Sequence, residues 1–407
     1  MRPMYLLSIC IPTYNRANLL RITLENLYGQ LNDCGFLNCV EIVISDNAST
    51  DNTSAVVDGF RDRLNINYSK NKENLGYEVN FSRVLSLSNG RFYTYLADDD
   101  ALIIETLVEI IKFMEANENV GAVYAPWRII NLANSYDHGL FYQVDDLRLF
   151  KKGSSVDLLN YLLDRHVFPE ICVYRRSAVS VRFPMEKIAC WAFSHIGIAL
   201  EKGDVVFWPN EYYISIIQHF SDESRGHAGN WEVMNSWDSY RGGLEWLLHR
   251  ARSKMDKPAS DFLIKIDKFI AARMSVGLRL RLQSGVGSAV ENYYLACRIV
   301  GLSGACGFSI DDLRMMAVLE YIAKLPSKYG LDTPLVVLGD YDETVLCELL
   351  RLCESGVLVV PASEELFLLK PSVVLHGSGK VSPDMMIELS GRNMVFVLDD
   401  DVEKMFC

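Results

Sequence analysis

The 407-residue sequence lacks a CxxC pair, an apolar run of roughly 18 residues and any excess of basic charge. Each absence excludes a class of protein. Ten cysteines are present, yet the two close pairs, Cys34/Cys39 and Cys347/Cys353, lack zinc-site spacing. Reduced, mostly buried thiols in a cytoplasmic protein are therefore expected. Without a long apolar run no segment is expected to span a membrane, and Met1 leads into an apolar strand with no basic n-region, so no signal peptide is expected. A formal net charge of -12 lacks the basic footprint that nucleic acid needs. What remains is ordinary globular composition, half hydrophobic and 23% charged, with length for two or three domains.

The stretch that organises the rest is Arg91 to Asp100, RFYTYLADDD. Its apolar, aromatic run after Gly90 reads as a strand, and it ends in three carboxylates, Asp98, Asp99 and Asp100. Three adjacent acids repel one another and resist burial. They are tolerated in full exposure to water, as a solvated loop, or around a divalent cation such as Mg²⁺ or Mn²⁺, which prefers carboxylate oxygens and also grips phosphates.

Upstream, Tyr5 to Ile11, Val40 to Ser45 and Ile66 to Ser69 read as strands. Between them lie a helix capped by Asn18, a polar turn from Asp46 to Asp51 leading into a further helix, and an amphipathic helix from Tyr77 to Ser88. A helix over Leu102 to Ala116 and a strand over Val120 to Ala125 follow the acids. Alternating strands and helices imply an α/β fold with a mostly parallel sheet, whose ligands collect beyond the strands' carboxyl ends. Tyr14, Asp46 and Asp98 to Asp100 all follow such ends, so three turns should converge on one crevice.

From about Asn235 to Val300 apolar residues recur at helical spacing, with eleven Lys/Arg against six Asp/Glu. This reads as a helical segment with solvated basic faces, or alternatively as a peripheral contact with anionic lipid or a lipid-linked substrate. From Thr333 a second α/β pattern begins, with 14 acids and 5 bases from Asp332 onward. Gly339-Asp340-Tyr341 there offers no GxGxxG loop, so a structural or partner-binding module is expected. The expected division is 1–230, with a donor half 1–125 and an acceptor half 126–230, then a helical segment 231–328 and a small Rossmann-like module 329–407.

SICIPTYNR (Ser8 to Arg16), VEIVISDNASTDNT (Val40 to Thr53), NLGYEVN (Asn74 to Asn80) and GRFYTYLADDD (Gly90 to Asp100) together resemble family 2 of the nucleotide-sugar glycosyltransferases. The resemblance covers roughly the first 125 residues strongly and implies a GT-A fold. It implies that Pro12, Thr13, Tyr14 and Arg16 form the donor loop and that Asp46 accepts a hydrogen bond from the base; the alternative for Asp46 is a turn-initiating residue. Gly76 and Asn80 would lie near the donor, with Gly76 alternatively only opening a helix. Asp98 and Asp99 would hold the donor. Asp99 and Asp100, with His219 as third ligand, would hold Mn²⁺ or Mg²⁺ to neutralise the departing diphosphate. A D-x-D register instead selects Asp98 and Asp100 as the metal pair.

Family members mostly invert the anomeric centre and need a general base. The acidic pair that usually supplies it is missing from Trp191 to Gly203, which leaves His195, with Glu170 as rival. The implied activity is inverting transfer from a nucleotide sugar, UDP-linked by expectation, to a glycan, lipid-linked or protein-linked hydroxyl in polysaccharide biosynthesis. The expected location is cytoplasmic, with peripheral attachment to the inner membrane face as the variant. A non-catalytic nucleotide-sugar-binding scaffold is an alternative. A sugar-1-phosphate nucleotidyltransferase is another, disfavoured because Ile11 to Arg16 contains no glycine to cradle a triphosphate. Oligomeric state is not legible in the sequence.

Overall fold

The computed structural model describes residues 5–179, 188–221, 228–255, 258–303, 305–338, 343–354, 356–360, 372–376 and 393–397. They form two compact units, Met1–Trp231 with Ser236–Phe269, and Glu232–Asn235 with Ile270–Cys407.

In the first unit the chain runs β1 (Leu7–Thr13), α1 (Ala17–Asp33), β2 (Val40–Asp46), α2 (Thr53–Asp58), β3 (Ile66–Lys70) and α3 (Tyr77–Leu87). It continues through β4 (Phe92–Tyr95), β5 (Ala101–Leu102), α4 (Ile104–Ala116), β6 (Val120–Tyr124), β7 (Trp127–Asn131), β8 (Tyr136–Leu140), β9 (Arg148–Phe150) and α5 (Ser155–Asp164). Then come β10 (Cys172–Arg175), α6 (Trp191–Lys202), β11 (Asp204–Phe207), β12 (Tyr213–Gln218), α7 (Ala228–Asn235), α8 (Trp237–Ala251) and α9 (Ala259–Ser284), with α7 and α9 each running into the second unit.

The main sheet has the order β3-β2-β1-β4-β10-β6-β11-β9. Its first four strands are parallel, and β10 inserts antiparallel between β4 and β6. This is an α/β sheet whose leading half is parallel, as the sequence implied. β1 and β2 are buried at every position, which is why their sequences are near-continuously apolar. Leu20, Leu24, Leu27 and Leu31 place one buried stripe of α1 in the core.

Two local expectations shift. The first helix begins at Ala17, not after a cap at Asn18, because the Asp51 carboxylate accepts from the Ala17 amide at 2.9 Å. Leu102 belongs to a two-residue strand rather than to α4, because Ala101 and Leu102 pair with Ile214 and Tyr213 of β12. That pairing builds a second sheet, β5-β12-β7-β8, and brings β12 beside the acid turn.

The second unit contains α10 (Ala289–Ser303), α11 (Ile310–Lys328), β13 (Leu335–Leu338), α12 (Glu343–Leu352), β14 (Val357–Val360), β15 (Val373–His376) and β16 (Met394–Val397). Its parallel sheet has the order β14-β13-β15-β16. One core joins Val318, Leu319, Ile322 and Leu325 of α11 to Leu335, Val337, Leu349, Val373 and Leu375. Helix α11 therefore packs with the α/β module across residue 329. Gly339, Asp340 and Tyr341 lie outside the described residues. Among the described residues no helix is long and apolar enough to cross a membrane.

Candidate active site

Strand register brings the three turns together. Thr13 pairs with Asp46, and Cys10 pairs with Tyr95, so the chain after β4 runs on beside the last residues of β1. The Leu96 amide still donates to Cys10 O at 2.9 Å. Two residues later Asp98 reaches Thr13, whose Oγ1 donates to Asp98 Oδ2 at 2.6 Å. Arg16 then spans the acids, with Nη1 at 3.0 Å from Asp98 Oδ1 and 3.1 Å from Asp99 Oδ2.

From below, Thr23 Oγ1 of α1 donates to the carbonyls of Asp98 at 3.0 Å and Asp100 at 3.3 Å. From the second sheet, Tyr213 OH donates to Asp100 Oδ2 and the Ile216 amide to Asp100 Oδ1, both at 2.7 Å. His219 Nε2 lies 2.6 Å from the Asp99 carbonyl. A carbonyl only accepts, so this nitrogen carries the proton.

Burial and the Asp99 charge push the Asp98 carboxyl up to about 6 despite Arg16, and push Asp100 up to about 8. The turn therefore concentrates more negative charge than its one arginine balances.

The residues expected to hold a metal, Asp99, Asp100 and His219, are not gathered round one point. Both Asp100 oxygens are bound to β12, His219 directs Nε2 to a carbonyl, and among the described residues no three His, Cys, Asp or Glu converge as a cage. Divalent ions at phosphate-handling sites take only one or two protein carboxylates and complete their shell with substrate oxygens and water. Both Asp98 oxygens are engaged as well, by Thr13 and Arg16, so an ion at the Asp98–Asp99 pair would take the place that the Arg16 guanidinium holds between them.

Other expected residues have structural positions. Asp46 is fully buried and accepts from the Ser49 amide at 2.7 Å and from Tyr68 OH at 2.6 Å. This is the turn-initiating role, and it leaves no accessible edge for a base. Asn80, 3% exposed, donates to Ser45 O and accepts from Ser45 Oγ and Asn71, tying α3 to β2. Gly76 caps α3 at φ 83°, and a Cβ there would meet nothing within 4 Å, so the glycine serves the left-handed backbone rather than close approach. Pro12 is buried within β1, whereas Tyr14 is 43% exposed at the crevice mouth.

His195 is corrected from a crevice base to a core residue. It is 1% exposed in α6, and burial lowers its pKa to about 3, which makes it a poor proton acceptor at neutral pH. An aromatic chain separates it from β4: Tyr95 to Phe81 at 4.9 Å, Phe81 to Trp191 at 5.0 Å and Trp191 to His195 at 5.2 Å. Glu170 is only partly buried; burial first, and then Tyr77, Asp100, Glu170 and Asp99, raise the Tyr95 phenol. Glu170 therefore acts on the same phenol as the acid turn.

Sequence reasoning missed Thr23, Tyr213 and the Asn15 bridge. Asn15, at φ 52°, accepts from the Thr50 amide and donates its own amide to Ser49, locking the first two turns together. These partners are 34 or more residues apart, so no local spacing announces them.

Residues 8–183 match the glycosyl transferase family 2 model. Abequosyltransferase RfbV of Salmonella typhimurium is 38% identical over 118 residues, 28% of this chain and 34% of that protein. Validoxylamine A glucosyltransferase of Streptomyces hygroscopicus subsp. jinggangensis is 49% identical over 78 residues, 19% of this chain and 18% of the relative. The chain thus spans about a third or less of the length of these curated relatives. The crystal structure of S. aureus TarS 1-349 in complex with UDP-GlcNAc has a TM-score of 0.46 at 14% identity, covering 80% of this chain and 92% of that one. The match runs from β1 past the acid turn to β10, so residues 8–183, less than half of the chain, are similar to glycosyl transferase family 2.

Proposed function

We propose that the protein is an inverting glycosyltransferase that moves a sugar from a nucleotide sugar to a hydroxyl of a glycan or glycoconjugate. The observation that carries this reading is the acid turn: Asp98 and Asp99, nearly buried, held by Thr13 and Arg16 at the carboxyl ends of a parallel sheet. That placement supports a diphosphate site, since ligands of such sheets collect there.

Tyr14 and Arg16 border the open side of the crevice and would receive the nucleotide. A divalent cation bound at Asp99 beside Asp98 would supply positive charge to the leaving diphosphate. The acceptor oxygen attacks the anomeric carbon as the bond to the diphosphate breaks, and its proton passes to a base. Glu170 is assigned that base, because it is only partly buried and precedes β10, whose Val173 pairs antiparallel with Thr94, on the side where β4 runs into the acid turn, while His195 is sealed in the core. The relatives' names support a glycosyl donor but differ in the sugar, so the donor is left to experiment.

The test is a thermal-shift panel of UDP-, GDP-, CDP- and TDP-sugars with and without Mn²⁺. A ligand that binds only the folded state raises the melting temperature. One donor class should stabilise the wild type in a Mn²⁺-dependent manner and fail with Asp99→Asn. If no nucleotide sugar shifts the transition, the assignment falls. A donor that binds but is neither hydrolysed nor transferred would leave a binding module.

A further inference from the structure

The first unit holds a cavity of about 550 Å³ that none of the crevice residues lines. The start of α5, the last turns of α6 and the end of α8 enclose it. Glu201 on its wall lies about 15 Å along α6 from Trp191, at 1.5 Å per residue.

One side is basic: His249, Arg250, Arg252 and Lys254 all line it, in a chain of net charge -12. His249 and Arg250 complement the carbonyls ending α8, and Arg250 pairs with Glu201. Arg252 is the C-cap residue of α8 and Lys254 closes the 3-10 turn that follows, so both continue the basic end of that helix along the cavity. Lys254 Nζ donates to Gly153 O at 2.6 Å, while Arg252 is exposed with no ion pair among the described residues.

The first turn of α5 meets the same space. Gly153, at φ 84°, and Ser155 both line it, and the Ser155 hydroxyl is buried without a hydrogen-bond partner among the described residues. Leu158, Leu200 and Leu247 back the remaining wall and are almost wholly covered, at 1%, 2% and 3% exposure. Among the described residues, a guanidinium without an ion pair, an ammonium whose one protein bond is to the Gly153 carbonyl, and the start of a helix together select phosphate oxygens. The volume lies in the range of small-molecule sites, which leaves room for more than the anion.

We propose that this cavity binds a phosphate ester. The phosphate is held by Arg252, Lys254 and the first turn of α5, and the organic body takes the remaining volume of the cavity. Its source is either a soluble phosphate ester or the headgroup of an anionic lipid.

The test uses the full chain at constant ionic strength. Calorimetric titration with glycerol 3-phosphate and inorganic phosphate probes the soluble source. Co-sedimentation with phosphatidylcholine vesicles, with and without phosphatidic acid, probes the lipid source. The wild type should bind in at least one arm, and the arm that responds identifies the source. Arg252→Gln with Lys254→Gln should weaken that binding roughly ten- to a hundredfold, the loss of two charge-assisted contacts, and Arg252→Lys should retain most of it. Nucleotide-sugar affinity should not change. Should the double variant misfold by circular dichroism, Arg252→Gln alone decides, since no ion pair is lost with it. Absence of binding in every arm, or full binding by the variants, overturns the proposal.

Discussion

At the scale of single residues, the acid turn is held together against its own charge. Asp100 is pushed up to about 8 from an ordinary 3.8, first by burial and then by Asp99. The folded chain therefore keeps a proton over a pH window in which the unfolded chain has released it. Stability from this group is fully present below about pH 4 and is lost as pH rises through 8. Asp100→Asn keeps an oxygen for the Ile216 amide and removes the titration. In EDTA its melting temperature should gain on the wild type steadily from pH 4 to pH 8; parallel curves would show that Asp100 does not titrate in that range. Glu170 and His195 give the second residue-scale test. Glu170→Gln should lower turnover by about 10²–10⁴-fold with donor affinity unchanged. His195→Asn should lower the melting temperature, because it places a new polar shape in the core of α6. Normal turnover in Glu170→Gln beside an inactive but stable His195→Asn would reverse the assignment.

At the scale of elements, the crevice is built by side chains that cross from one turn to the next. Asp51, in the turn before α2, accepts from the Ala17 amide at 2.9 Å and from Thr53 Oγ1 at 2.5 Å, so it opens two helices at once. Asp51→Ala leaves the Ala17 amide without its acceptor and should cost about 1 kcal/mol, within the usual range for losing a cap. Chemical denaturation should show that loss, together with weaker donor binding, because Arg16 immediately precedes α1 and carries the bridge to Asp98 and Asp99. Unchanged stability would mean that solvent replaces the carboxylate. The strands and most helices of this region were legible, since Leu7 to Ile11 and Val40 to Ile44 are apolar but for Ser8 and Glu41, and α1 carries its leucines at helical spacing. The two-residue strand β5 was not, because its partner, β12, lies more than a hundred residues downstream.

At the scale of the whole molecule, every proposed donor residue belongs to the first unit, while α11 and the parallel sheet after it share a core in the second. Leu349 is completely buried in that core. Leu349→Ala should cost about 2–5 kcal/mol there through lost contacts and a cavity. Calorimetry should show the C-terminal unit melting earlier, with nucleotide-sugar affinity at low temperature unchanged. A fall in donor affinity would show that the second unit supports the crevice.

What the sequence by itself determined is the periodic part: the strands β1 to β4 and β6, that their sheet is mostly parallel, and that the turns after β1, β2 and β4 share one edge. Period and apolar content are local properties, and strand ends follow from them. Only the tertiary structure decided what each polar residue does once there. Asp46 became a turn residue when Tyr68 and Ser49 took its oxygens, Asp100 faced β12, and His195 went into the core. A carboxylate or imidazole has the same sequence signature whether it meets a ligand or a neighbour. Its role is set by which distant donors reach it and by how much water remains, and both are properties of packing.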